Sequence, residues 1–315
     1  MYDRGIFSSM NEKKKRILEL THEIGILIEE LHQSAPIDRQ EDAMSDADEL
    51  HFYLGRLEHA LETAFEYTFN ESSDACYSTS LSITSNGDGT CRINHIGSCV
   101  DSDIVIPPIH NGDIVNAIAD WAFDGCSHLT CISIPNSVTK IGSGAFRDCK
   151  NLTSISIPDS VKCIVDGVFC DCSNLINVRI PDSITSIGLA AFAGCKSLTS
   201  IALPNSVTNI DVSAFADCSG LTFMAIPNSV ASLGEYAFSG CNNLTHISLP
   251  HSITHLNANA FDWFNLKEVV YSGTKKQWET LIDWDDYNKS LYWDLRVATK
   301  VICSDGTISL MVPYL

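Results

Sequence analysis

The sequence predicts a mainly β or mixed α+β fold: a solenoid of 23-residue repeats with parallel strands, preceded by an α-helical hairpin. The solenoid follows from two residue types that return every 23 positions within residues 118–270. A fixed period of this length is typical of stacked repeats, because one repeat cannot bury its apolar face alone. The phenylalanines are Phe123, Phe146, Phe169, Phe192, Phe215, Phe238 and Phe261. Three positions after the first six come Cys126, Cys149, Cys172, Cys195, Cys218 and Cys241.

One repeat, residues 152–174, has the sequence LTSISIPDSVKCIVDGVFCDCSN. It begins with Leu152, Ile155 and Ile157, and apolar residues at alternate positions predict a short strand with one buried face. Pro158 should end this strand, because proline donates no amide hydrogen and fixes its own φ. The alanine and phenylalanine later in each repeat are expected to fill the interior of the coil.

A glycine follows the second apolar pair in three of the repeats, where it is Gly142, Gly188 or Gly234. Asp211 and Asn257 occupy the same place in two others. Glycine, asparagine and aspartate all tolerate positive φ, so we expect a tight bend with positive φ at this position. Val165 departs from the pattern, which predicts a turn that differs there or is strained.

The repeat is similar to the BspA-type leucine-rich repeat, also described as the Treponema pallidum class, with the pattern L-x-x-I-x-I-P-x-S-V-x-x-I-G-x-x-A-F-x-x-C-x-x. Six near-complete copies cover close to half of the chain. The resemblance implies a parallel-stranded leucine-rich solenoid and a binding or adhesion role, mostly in bacterial surface proteins and some protist ones. It implies no catalytic residues and no cofactor.

Composition narrows the class of partner. The formal net charge is −19, from 20 basic and 39 acidic residues among 315. So acidic a chain should repel nucleic acid and anionic membranes, whereas binding of a basic partner is still possible.

The 13 cysteines are odd in number and spaced in single file, which favours reduced structural thiols over a disulfide framework. Cys170 and Cys172 are too close for an ordinary zinc knuckle, so no metal is expected there.

The expected location is divided between two compartments. Glu19, His22 and Glu23 interrupt the run after the basic residues Lys13 to Arg16, so we expect no signal peptide. No run of 18 apolar residues occurs, and so no membrane span is expected. The missing leader and the free thiols favour a reducing, cytoplasmic location. The family resemblance favours export to the cell surface.

Residues 1–70 are predicted to form the α-helical hairpin. Apolar residues from Ile17 to Leu31 follow helical spacing, as does a second set from Leu50 to Phe65. Two amphipathic helices joined by a short polar link form a hairpin. The helices could pack on each other and cap the solenoid, or they could form a homo-oligomerisation or partner-docking module.

Residues 71–117 are predicted to be a linker and an N-terminal cap. The run from Asn86 to Gly89 separates two short apolar stretches and indicates a β-hairpin. A degenerate entry repeat should follow, because Val115 and Ile118 precede the corresponding residues of the next repeat by 23 positions. We expect Cys91 and Cys99 to be thiols.

Residues 271–315 are predicted to be a C-terminal cap, beginning with a Y-S-G-T-K-K-Q-W segment that is similar to the terminal motif after such repeats in gut bacterial proteins. Trp278, Trp284, Tyr287 and Trp293 should form an aromatic plug over the last coil; a carbohydrate- or peptide-stacking platform is the alternative. A final strand pair is expected around Asp305. The acidic cluster of Asp283, Asp285 and Asp286 is interpreted as a solvated loop.

The candidate binding surface is the outward face of the strands. The residues that flank the first isoleucine of each repeat should point away from the core. One such column is Cys131, Ser154, Asn177, Ser200, Phe223 and His246, and its neighbour is Ser133, Ser156, Arg179, Ala202, Ala225 and Ser248. Asn177, Arg179, Phe223 and His246 are our candidate contact residues, because an exposed aromatic beside charged groups is a plausible hot spot. Single exposed residues are also ordinary surface.

Three histidines, His246, His251 and His255, cluster near the end of the repeats. We interpret them as polar surface residues; the alternative is that they are metal ligands.

No nucleophile–base arrangement, phosphate loop or paired-carboxylate motif is present, so we expect no enzyme. The predicted function is a non-enzymatic protein–protein interaction module. The alternative is a secreted or surface adhesin that binds host protein or glycan.

Overall fold

The computed structural model describes residues 78, 80–254, 256, 258–261, 266–281 and 300–308. The predicted helical hairpin therefore lies outside the described residues. So do His255, Asn257, Trp284, Tyr287, Trp293 and the acidic cluster at 283–286.

The described elements are mostly very short strands. In chain order they are β1 (Ser82–Ser85), β2 (Thr90–His95), β3 (Asp103–Val105), β4 (Ile109–His110), β5 (Asp113–Ile118), β6 (Cys131–Ser133), β7 (Lys140–Ile141), β8 (Ser154–Ser156), β9 (Asn177–Arg179), β10 (Ser186–Ile187), β11 (Asn209–Ile210), β12 (Phe223–Ala225), β13 (Ser232–Leu233), β14 (His246–Leu249), β15 (Glu268–Tyr271), β16 (Lys300–Cys303) and β17 (Gly306–Ile308). A 3-10 turn covers Ala258–Ala260, and a short α-helix, α1, covers Lys275–Leu281.

The predicted solenoid with parallel strands is confirmed. One sheet has the order β3-β6-β8-β9, a second has β12-β14-β15-β16-β17, and a third, built from the second short strand of three consecutive repeats, has β10-β11-β13. Within the repeats, paired residues are 23 positions apart, as in Ser154 with Asn177 and Phe223 with His246. The coils therefore stack in register, and each column of the repeat becomes a row along the solenoid.

The first two sheets are separated by one repeat whose first short strand does not form, although its second strand, β11, is present. Ser200 and Ala202, at the usual strand position, lie in irregular backbone. The coils still stack there, because the amide of Thr222 donates to the carbonyl of Thr199 at 3.3 Å. The predicted outward columns are therefore continuous in register but pass through a local break in the sheet.

The interior is organised by the phenylalanines, as predicted. The seven rings stack one upon the next, with centroids 5.2–5.7 Å apart and interplanar angles of 5–19°. All seven are buried, and each is preceded by a buried alanine except Phe169, which follows Val168.

The repeating cysteines join each coil to the one before it. In five consecutive coils the cysteine Sγ donates to the carbonyl oxygen of the preceding coil's phenylalanine at 3.0–3.2 Å. The cysteines of the described part of the chain are free thiols. Burial raises the pKa of the Cys195 and Cys218 thiols well above the ordinary value of 9.0. Their sulfurs therefore stay protonated and act as donors in a dry core.

The serine of the P-x-S motif makes a second connection between coils. The hydroxyl of Ser183 donates to the carbonyl of Val161 at 2.6 Å, and that of Ser206 donates to Ile184 at 2.6 Å. The same bond occurs from Ser160, Ser229 and Ser252. These hydroxyls therefore satisfy carbonyls that neighbouring strands do not reach.

The backbone around each phenylalanine forms a further ladder between coils, which we call the turn face. Alternate amides donate to the next coil. In one coil the bonds are Ala190 N to Val212 O (3.0 Å), Phe192 N to Ala214 O (2.8 Å) and Gly194 N to Ala216 O (2.8 Å). The side chains two or three positions before the phenylalanine and one or two positions after it line the outer surface of this arc.

The predicted positive φ at Gly142, Gly188 and Gly234 is wrong, and Val165 accordingly has no strained turn. Glycine is favoured there by close approach instead: a Cβ on Gly142 would lie 2.4 Å from the amide nitrogen of Asp120 in the preceding coil. Positive φ occurs two residues later, at Trp121, Gly144, Gly167, Ala190, Ser213 and Tyr236.

Short strands also occur on both sides of the repeats. At the N-terminal end, β1 and β2 form the antiparallel hairpin, and Ile118 of the entry repeat pairs with Ile141. At the C-terminal end, β15 continues the parallel sheet, and β16 and β17 form the last antiparallel pair. Trp278 of α1 is buried, with its ring 5.5 Å from that of Tyr271.

Candidate functional site

The strand face presents the two predicted columns to its outer side. In β12 the central residue Met224 is buried, whereas Phe223 is half-buried and Ala225 is exposed. The same alternation holds in β6, where Ile132 is buried between Cys131 and Ser133. This period-2 pattern arises because successive side chains of a strand point to opposite faces.

In the first of these columns, Phe223 lies beside His246. They are direct register partners in adjacent parallel strands, so their Cα atoms are about 4.8 Å apart. The Nδ1 atom of His246 lies 2.8 Å from the hydroxyl of Thr245. The column continues through Glu268 to Lys300, whose Nζ lies 3.5 Å from the Glu268 carboxylate. An aromatic ring, an imidazole and an ion pair thus lie in one row.

The neighbouring column becomes apolar over the same coils. Ala225 pairs with Ser248, Ser248 with Val270, and Val270 with Ile302. Val270 and Ile302 are half-buried. Neither residue was among the predicted column members, because Val270 ends the predicted repeats and Ile302 lies in the C-terminal cap. Their place in the column depends on the parallel pairing of β15 with β14 and β16.

Arg179 and Asn177 lie in β9, on the other side of the repeat that lacks its first strand. The Arg179 guanidinium donates to the Ile157 carbonyl at 3.0 Å and pairs with Asp159 at 2.8 Å. Its side chain is only 14% exposed. Arg179 is therefore fixed against the preceding coil, and the structure does not place it beside Phe223 or His246.

The three histidines are only partly described. His246 lies in β14, and His251 follows the end of that strand, with its Nδ1 atom 3.1 Å from the hydroxyl of Ser272. Within the described residues, no three His, Cys, Asp or Glu side chains are grouped to hold a metal ion.

A second surface of different character lies on the turn face. Leu189 is 45% exposed and Tyr236 is 44% exposed, and Val212 lies between their coils. We call Leu189, Ala193, Val212, Ala216 and Tyr236 the turn-face strip. The signal for it in the sequence lies three positions before the phenylalanine. Asp120 and Asp166 occupy this position in earlier coils, and Leu189 and Val212 occupy it in later ones.

No helix in the described ranges is both long and apolar enough to cross a lipid bilayer.

Comparison with known proteins gave the following matches. A family model described as the BspA type leucine rich repeat region matches in six copies, over residues 94–222 and 162–282. A leucine-rich repeat protein from Bacteroides ovatus is 25% identical over 74% of this chain and 72% of its own, with a TM-score of 0.42. A leucine rich repeat protein from T. pallidum is 24% identical over 70% of this chain and 95% of its own, with a TM-score of 0.42. No curated protein matches the sequence.

Proposed function

Because the chain belongs to the family of BspA-type leucine-rich repeat proteins, we propose that it is a non-enzymatic module that binds a protein partner through the outer strand face. Solenoids of this kind expose extended surfaces that core packing does not dictate, and such surfaces generally serve in protein interaction. The contact residues in this proposal are Phe223 and His246, with Asn177 and Arg179 extending the surface toward the N-terminal coils.

The register of Phe223 with His246 carries the proposal. Both side chains occupy a column that contains Ser154 and Ser200 in other repeats, so the core does not demand their size. An aromatic ring partly freed from the core, beside an imidazole, offers the kind of anchor on which protein interfaces depend. Val270 and Ile302 would add apolar area next to it.

Arg179 has a different part in the proposed interface. Its guanidinium is held by Asp159 and the Ile157 carbonyl, so it loses little side-chain entropy when a partner binds. A carboxylate on the partner would have to share or replace the Asp159 ion pair. Arg179 would therefore contribute mainly by selecting one orientation of the partner, and it would add little to the affinity.

The experiment that tests the proposal is quantitative affinity capture from native lysate with the full chain as bait. The variant is Phe223→Ser combined with His246→Ser, because serine already occupies this column. The matched control is Val100→Ser, which removes an exposed apolar residue outside both the strand face and the turn face. We expect a partner whose recovery falls at least about tenfold with the double variant and is retained by the control, with melting unchanged.

Equal recovery of every captured protein by wild type and double variant would reject the strand face as the binding surface. The adhesin alternative uses the same face with a different ligand. A glycan array probed with the same proteins tests for a glycan-binding adhesin, because such a protein would give signals that the double variant loses.

A further inference from the structure

The turn-face strip combines large apolar side chains with very small ones. Leu189 is 45% exposed and Tyr236 is 44% exposed, and the half-buried Val212 lies in the same column as Leu189. Ala193 and Ala216 lie alongside them, in a column that contains Asp124 and Arg147 in earlier coils. A column of small residues therefore accompanies the column of larger apolar ones. The core does not require this, because other coils have polar side chains at the same positions.

Tyr236 has an unusual backbone for so large a residue. Its φ is 59°, in a column whose other members include Gly144, Gly167 and Ser213. An L-residue with a bulky side chain is rarely found at positive φ, because its Cβ crowds the following carbonyl. Positive φ recurs in this column from Trp121 to Tyr236, so the turn of the coil itself requires it. Tyr236 therefore carries a conformational cost, although 44% of the residue is left exposed to solvent.

Carboxylates flank the strip. Asp166 comes one coil before Leu189, and its Oδ1 accepts the Leu189 amide hydrogen at 3.0 Å. Asp171 and Asp217 are exposed in a column on the far side of the phenylalanine, and Glu235 follows Val212 in the column of Leu189. Negative charge therefore borders the apolar strip at both ends and along one side. The whole chain carries a formal net charge of −19, which adds to the same field.

We propose that the turn-face strip binds a cationic amphipathic helix of a partner protein. Adjacent coils are about 4.8 Å apart, so the coils of Leu189 and Tyr236 are separated by about 10 Å. Apolar side chains at positions i and i+7 of an α-helix are separated by nearly the same distance, about 10.5 Å. Such a helix would lie along the stack with its apolar face on the strip. Its lysines or arginines would lie near Asp166, Asp171, Asp217 and Glu235, which gives charge complementarity.

The probe is a fluorescein-labelled peptide of leucine and lysine, about 18 residues long, arranged as an amphipathic helix. Its matched partner has glutamate in place of lysine. Binding to the full chain is measured by fluorescence anisotropy at about 50 mM and about 300 mM salt. The first variant is Leu189→Ser with Tyr236→Ser, since serine occurs at both columns. The second is Asp171→Asn with Asp217→Asn, because asparagine tolerates the positive φ of these residues.

We expect the lysine peptide to bind and the glutamate peptide not to bind. The Leu189→Ser and Tyr236→Ser variant should weaken binding at least about tenfold. The Asp171→Asn and Asp217→Asn variant should weaken it severalfold and flatten its salt dependence. The control, Phe223→Ser with His246→Ser, should bind as wild type does, because it alters the strand face only. Wild-type affinity in the Leu189→Ser and Tyr236→Ser variant would overturn the proposal and leave attraction between net charges as the explanation.

Discussion

The indole of Trp121 lies over Gly144 of the next coil, where a Cβ atom would be only 2.2 Å from Cζ3 of the ring. Both residues have positive φ, 61° for Trp121 and 60° for Gly144. The guanidinium carbon of Arg147 lies 5.8 Å from the ring centroid. The ring is therefore packed on bare backbone beside a cation, which stabilises an aromatic side chain that is 53% exposed.

Gly144→Ala should destabilise the protein by about 2–3 kcal/mol, because alanine resists positive φ and its Cβ displaces the Trp121 ring. Urea unfolding of the full chain measures the change. Gly167→Ala is the matched control: its φ is +62°, but its Cβ would meet only Cys170 Cβ at 3.9 Å. The control should lose about 1–2 kcal/mol, from backbone strain alone. Equal losses in the two variants would show that the indole contact adds nothing.

Ser183→Ala should cost about 1–2 kcal/mol, because it removes the 2.6 Å hydrogen bond to the Val161 carbonyl. Ser137 occupies the same place in the first full repeat. Among the described residues, its hydroxyl is the buried side-chain oxygen without a hydrogen-bond partner. Ser137→Ala should therefore be neutral or slightly stabilising. Thermal melting distinguishes the two variants, and an equal fall in melting temperature would contradict a role for the serine hydrogen bond.

Cys195→Ala should destabilise the protein by about 1–2 kcal/mol, because it leaves a small cavity and removes the 3.2 Å contact with the Phe169 carbonyl. Cys163 is exposed, and Cys163→Ala should change the stability by less than about 0.5 kcal/mol. Denaturant unfolding under reducing conditions gives both values. A thiol reagent at pH 8 should modify Cys163 rapidly and Cys195 only on unfolding; rapid modification of Cys195 in the native protein would refute its burial.

Stability should fall as the pH rises above about 9. Burial raises the pKa of the Cys195 and Cys218 thiols above the 9.0 of an ordinary thiol. The folded chain then holds protons that the unfolded chain releases, so this stability is complete below pH 9 and is lost at higher pH. Each thiol should contribute about 1 kcal/mol per pH unit.

The pH experiment measures urea unfolding at pH 8, 9 and 10, for wild type and for Cys195→Ala. The variant lacks one buried thiol, so its stability should decline less steeply, by about 1 kcal/mol per pH unit. Parallel declines in the two proteins would show that the buried thiols do not set the alkaline limit.

Much of the fold could be predicted because each coil must bury apolar residues at the same positions of the repeat. Phe146 and Cys149 recur at the interval of one coil, so their columns had to lie inside. The pairing of Phe223 with His246 followed from the same 23-residue spacing. The bend was misplaced because a glycine at position 142 can reflect either positive φ or close approach of the neighbouring coil. The residue type alone does not distinguish these two causes. Its actual cause is Asp120 of the neighbouring coil.

The candidate surface was less predictable than the core. The position of Arg179 in an outward column followed from strand alternation, but its bonds to Ile157 and Asp159 depend on a rotamer chosen in three dimensions. The turn-face strip was missed because its members are 23 or more residues apart in sequence and have no local apolar pattern.

The sequence alone determined the period and the buried columns, because burying one face of a short repeat allows few arrangements. The tertiary structure alone decided which donors join the coils, where φ becomes positive and which outward side chains remain exposed. These depend on distances of a few ångströms between neighbouring coils, and a one-dimensional pattern of apolar and polar residues does not encode such distances.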